Sequence, residues 1–129
     1  MLLFKAKFIE AIKSGKKTQT IRLRRYCRMK PGQRSYIPGV GYIAITSIER
    51  VELDQLTDAD AVLDGFPTAD ALRAELCDLY GADMLARRKL YIIRFSVYPS
   101  SEQQAIADEQ NKRREAEKNR KRLFRYLDF

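Results

Sequence analysis

Histidine and tryptophan are absent from this 129-residue chain, and cysteine occurs twice. Without imidazole, serine–histidine triads, histidine-led acid–base catalysis and imidazole metal sites are excluded. Cys27 and Cys77 are too few for a four-thiolate zinc site, and their separation matches no thioredoxin-like or iron–sulfur spacing. Both are expected as free thiols in a reducing cytoplasm, with neither a metal nor a cofactor bound. No apolar run approaches the roughly 20 residues needed to cross a bilayer. Lys5 and Lys7 break the stretch where a secretory signal needs its apolar core. A cytoplasmic protein without a membrane partner is expected, and its chemistry must use Lys, Arg, Tyr, Thr, Ser, Cys or carboxylates.

Positive charge is what the chain has in excess: 25 Lys+Arg against 17 Asp+Glu, a net +8. With 45% hydrophobic residues the chain has enough apolar content for one domain with a core. The charge is unevenly placed, with balances of +10 over residues 1–50, −8 over 51–85 and +6 over 86–129. A basic face and an acidic face follow if the middle segment folds as one layer. Aromatics at Tyr26, Tyr36 and Tyr42 interleave with the first basic block, a pattern of nucleic-acid surfaces, where such rings stack on bases. Packing in the core or on an edge strand is the alternative for these tyrosines.

Periodicity and punctuation predict a strand over residues 2–5, then a helix over 6–14 with Phe8, Ile9 and Ile12 on one face, closed by Gly15. A strand over 18–23 should turn Gln19, Ile21 and Leu23 to the core and leave Thr18, Thr20 and Arg22 as a polar row. A basic loop with a Pro31–Gly32 turn leads to strands at 35–38 and 42–53, joined by a hairpin or bulge at Gly39–Gly41. Thr57 and Thr68 cap two helices, the first ending near Leu63 and the second at Gly81, and residues 90–98 read as a central strand. From Ser100 onward a helix with a capping box to Gln103 or Gln104 is expected. Eleven of the sixteen residues from 107 to 122 are charged, so core burial cannot hold that stretch. Leu123, Phe124, Tyr126, Leu127 and Phe129 then suggest docking on the domain or a homodimer through the C-terminal segment.

The run Ile-Lys-Ser-Gly-Lys-Lys-Thr-Gln-Thr-Ile-Arg at 12–22, leaving a helix and entering a strand, resembles the signature of the ASCH domain. Gly15, Lys17, Thr20 and Arg22 fit its Gly-x-Lys, its polar residue three positions on, and its arginine two further. The Lys30-Pro31-Gly32 turn, the Leu56-Thr57-Asp58 helix start, the Asp64-Gly65-Phe66 break and the strand over 90–95 agree. The resemblance spans about residues 1–98 and leaves 99–129 as a basic helical extension outside it. It implies an α+β fold: a small PUA-like β-barrel, mostly antiparallel, partly closed, five- or six-stranded, with three peripheral helices. It also implies an RNA-related function.

Within that family Thr-Ile-Arg resembles a bacterial subgroup that hydrolyses N4-acetylcytidine. Carried over, its proposed catalytic groups are Lys17, Thr20 and Asp64, the last standing where the subgroup has Glu and so one methylene shorter. Independently, a Lys beside a Thr is a base–nucleophile pair if the amine loses its proton, and Arg22 suits a phosphate or an oxyanion. The same residues are also ordinary: a lysine at a helix end, a strand threonine, an aspartate before glycine. Binding needs fewer coincidences. Lys16, Arg22, Arg24, Arg25, Tyr26, Arg28, Lys30 and Arg34 form a nucleic-acid-binding set for RNA or a modified nucleoside. Metal-independent ribonuclease chemistry is a third reading of the same residue types. The cleft is expected between the Lys17–Arg22 strand and the 57–66 segment.

Overall fold

Period-two patterning resolves into four strands, β1 (Gln19–Arg24), β2 (Arg34–Ile37), β3 (Gly41–Val51) and β4 (Lys89–Val97). The computed structural model describes residues 1–127. All pairings are antiparallel, in the order β1-β4-β3-β2, and the sheet curls as a half-barrel. A register shift between Ile45 and Ser47 of β3 supplies local bend and twist. The Gly39–Gly41 segment makes the hairpin between β2 and β3, with Gly39 at φ 86° and Val40 N–H donating to the Ile37 carbonyl. The bulge therefore lies within β3 and not at these glycines.

Among the described residues four strands stand where five or six are expected, because residues 2–5 do not pair as a strand. Leu2 N–H donates to the Tyr36 carbonyl at 2.9 Å, and the chain then tightens into a 3₁₀ turn at Ala6–Phe8. The helix α1 (Ile9–Lys13) continues that turn, and Gly15 at φ 80° ends it.

Both faces of the sheet are covered. On one, Ile21, Leu23, Leu90, Ile92 and Val51 pack beneath Leu56, Ala61, Leu72 and Leu76, from α2 (Asp58–Leu63), α3 (Ala69–Arg87) and the turn before them. On the other, Ile93, Phe95, Ile43, Ile45 and Ile37 meet Leu2 and Ile12. The expected polar row of Thr18, Thr20 and Arg22 is thereby corrected in part: Thr18 is exposed, but Thr20 is 5% exposed and Arg22 half-buried, since the N-terminal segment folds over their face. Gln19 is also fully buried and donates to the Asp60 carbonyl of α2 at 3.2 Å.

Thr57 caps α2 with a reciprocal box, its Oγ1 accepting from Asp60 N–H while the Asp60 carboxylate accepts from Thr57 N–H. Thr57→Ala is expected to lower stability by about 1 kcal/mol in urea unfolding. It loosens the helix whose end carries Asp64. Gly81 (φ 78°, ψ 156°) interrupts α3 but does not end it, because residues 82–87 contain no breaker and return to helix.

The chain divides into two compact units, Met1–Val97 and a second that begins at Tyr98. In the latter, α4 (Ser100–Leu127) is supported by i,i+4 pairs, Arg113 with Glu109 at 2.8 Å and Lys121 with Glu117 at 3.3 Å. Near the start of α4, Gln103 donates to the Tyr98 carbonyl and Gln104 to Asp108. Leu123, Phe124, Tyr126 and Leu127 are exposed on α4, and Phe129 lies outside the described residues. No helix among the described residues is long and apolar enough to cross a membrane.

Candidate functional site

Lys17 owes its position to the turn behind α1. Gly15 N–H donates to the Ile12 carbonyl and Lys17 N–H to the Ala11 carbonyl, which swings the lysine back beside the start of β1. Asp64 is fixed from the other side as the C-cap of α2, followed by Gly65 at φ 94° and by Phe66 N–H on the Ala61 carbonyl. The two side chains meet across 47 residues of sequence: Lys17 Nζ donates to Asp64 Oδ1 at 2.9 Å and to the Asp64 carbonyl at 3.4 Å. Asp64 thus reaches Lys17 despite the shorter side chain. Their side chains are 7% and 13% exposed, and the ammonium also sits 5.0 Å from the Phe8 ring centre.

Thr20 shares the pocket but not that bond. Its Oγ1 accepts from Arg22 Nε at 2.9 Å, while Arg22 Nη2 donates to the Leu3 carbonyl at 2.6 Å and the guanidinium lies 4.8 Å from the Phe4 ring centre. A hydroxyl that accepts from Arg22 keeps its own proton free to donate into the pocket. The cavity is about 290 Å³, and Phe4, Phe8, Phe66 and Tyr80 give it aromatic walls. Because β1 is a sheet edge, this cavity opens between the N-terminal segment and α3.

Burial pushes the Asp64 carboxyl above its ordinary pKa, and the charge and hydrogen bond of Lys17 pull it only partly back. Burial and then the charge of Arg24 lower Arg22, against the opposing effect of Tyr80 and Asp64. Since the folded chain holds the Asp64 proton more tightly than the unfolded chain, stability from this group falls as pH rises from the ordinary carboxylate pKa through the raised one. Relative to Asp64→Asn, the wild-type urea midpoint is expected to fall across that window and then level off.

The basic residues do not form one cleft. Arg24, Arg25, Tyr26 and Arg28 line a second hollow. Lys16 is exposed and Lys30 precedes the turn docked on β3, neither lining the cavities that hold Lys17 or Arg24. Arg34 pairs with Ala44 at the opposite edge of the sheet, where Tyr36 and Tyr42 pack edge-on at 5.0 Å. The order β1-β4-β3-β2 separates these groups although they adjoin in sequence. Sequence reasoning missed Phe4, Phe66 and Tyr80 as pocket walls, and Arg88, whose only signal is the Arg87-Arg88-Lys89 run entering β4. Cys27 and Cys77 are free thiols, and among the described residues no cluster of acidic or thiol groups could hold a metal.

No protein-family model matches the chain, and no curated protein does. Its fold is similar to the crystal structure of the hypothetical protein PH0355, with TM-score 0.65 and 17% identity over 74% of this chain and 95% of that one. It is also similar to that of protein EF3133 from Enterococcus faecalis V583, assigned to DUF984, with TM-score 0.59 and 18% identity over 71% of this chain and 67% of that one. At these identities the likeness shows the fold alone: an α+β unit built on a curled antiparallel four-stranded half-barrel.

Proposed function

We propose that the chain is an ASCH-type, PUA-like protein that binds RNA, taking a base in the Lys17–Asp64 pocket and phosphates on the neighbouring arginines. One observation carries it: a buried ion pair at 2.9 Å stands in an aromatic-walled cavity beside a hollow ringed by arginines. A carboxylate and an ammonium fixed in register offer an acceptor and a donor to the polar edge of a base, and the phenyl rings offer stacking. Arginine forks suit phosphate oxygens. Anisotropy titrations of labelled single-stranded RNA test this. Binding whose logarithm falls steeply with the logarithm of salt concentration is expected, and binding that is absent or indifferent to salt would sink the proposal.

The placement of Thr20 favours a second reading, metal-independent hydrolysis of an N4-acetylcytidine-type amide. Asp64 Oδ1 accepts the Lys17 hydrogen bond at 2.9 Å, and the mechanism has it take a proton from the ammonium so that the amine acts as the base. On this reading Lys17 takes the Thr20 proton as Thr20 Oγ1 attacks the acetyl carbonyl. The C–N bond breaks as that proton passes to the leaving cytidine amine, and water then hydrolyses the acetyl ester. Cytidine release by wild type that is lost in both Lys17→Ala and Thr20→Ala supports it, and no release by folded wild type removes it.

A further inference from the structure

Four arginines from two parts of the chain face one hollow. Arg24 ends β1, Arg25 and Arg28 lie in the loop after it, and Arg88 arrives as the C-cap of α3, around a space of about 420 Å³. Among the described residues none of the four is ion-paired with a carboxylate, and no carboxylate lines the space. Guanidinium groups gathered without counter-charge raise the local potential and attract anions. Arg28 is held in place, since its guanidinium lies 5.3 Å from the Tyr26 ring centre and donates to the Tyr26 hydroxyl at 2.9 Å. Tyr26 itself remains 53% exposed.

The hollow adjoins the Lys17 pocket. Thr20 and Ile93 are direct partners across β1 and β4, so they lie side by side on one face of the sheet. Thr20 lines the pocket and Ile93 lines the hollow. Thr20, Arg22 and Arg24 follow one another on that face with the period of the strand, and four residues of strand span about 13 Å. Arg24 is close enough for its charge to act on Arg22. A free nucleoside does not bridge such a span, whereas a few linked nucleotides do.

Resting on the RNA-binding proposal above, we infer that the arginine hollow is a phosphate subsite of the same ligand. The chain then takes a short single-stranded RNA with one base beside Lys17 and Asp64 and the adjoining phosphates on Arg24, Arg25, Arg28 and Arg88.

The test is anisotropy of the full chain with labelled hexauridylate, a length in the usual range for small β-barrel sites. Competitors are unlabelled hexauridylate, uridine and inorganic tripolyphosphate. Arg25→Glu and Arg88→Glu, each checked for an unchanged thermal midpoint, are expected to weaken binding about tenfold and to reduce the log–log salt slope by about 0.7. Uridine should compete at least about a hundredfold more weakly than the hexamer, because it lacks the phosphate contacts. Wild type that binds the hexamer while both folded variants bind it equally well would overturn the inference and leave RNA binding standing. So would tripolyphosphate competing as well as the hexamer. No binding of the hexamer by wild type overturns both proposals together.

Discussion

Lys17→Met is expected to lower the unfolding free energy by about 3 kcal/mol at neutral pH, the usual scale for removing one partner of a buried ion pair. With side chains only 7% and 13% exposed, Lys17 and Asp64 have little water to replace each other. Burial already holds the Asp64 carboxyl above its ordinary range, and Lys17 is the largest influence drawing it back. Without the ammonium, Asp64 must stay charged and unpaired or take up a proton. The loss should therefore shrink as pH is lowered, which distinguishes it from a simple packing defect. Lys17→Met combined with Asp64→Leu should recover most of the loss, since apolar replacement of a whole buried pair is often neutral. Urea unfolding at neutral and mildly acidic pH checks both points. A single-variant loss below about 1 kcal/mol, typical of surface pairs, would mean that water reaches the pair.

Reversing Arg24, Arg25 and Arg28 together to Glu is expected to reduce single-stranded RNA affinity at least about a hundredfold near physiological salt, and to lower the salt slope by about two. Three phosphate contacts at about 0.7 each account for that slope. Stability should change little, because all three residues are exposed and none is ion-paired with a carboxylate among the described residues. Reversal at Arg24 even removes a like charge that acts on Arg22. Unchanged slope with unchanged affinity would place the phosphates elsewhere on the molecule.

Local signals were readable wherever a residue acts on its own neighbours. Thr57 and Thr68 open their helices, Gly15 closes α1, and the β4 alternation marks a strand that the order β1-β4-β3-β2 places inside the sheet. What the chain order hides is what covers what. Thr20 has the pattern of an outward residue, yet residues 2–8 fold over it. Residues 2–5 have strand composition, but among the described residues they make a single backbone bond to the sheet, from Leu2 to Tyr36. Gly81 carries a break signal that the helix formers after it outweigh. The Lys17–Asp64 contact spans 47 residues, and only the family resemblance pointed to it; spacing could not. Arg88 was invisible for the same reason, since α3 delivers it to a loop about sixty residues earlier.

Photocrosslinking tests the location of the base most directly. Full-length protein is irradiated with short single-stranded RNA carrying one 4-thiouridine, and the modified peptides are mapped by mass spectrometry. Adducts on Phe4, Phe8, Phe66 or Tyr80 are expected, because these rings wall the cavity that holds Lys17, Thr20 and Asp64. Adducts confined to Tyr36 and Tyr42, at the opposite edge of the sheet, would contradict the assignment of this pocket as the base site.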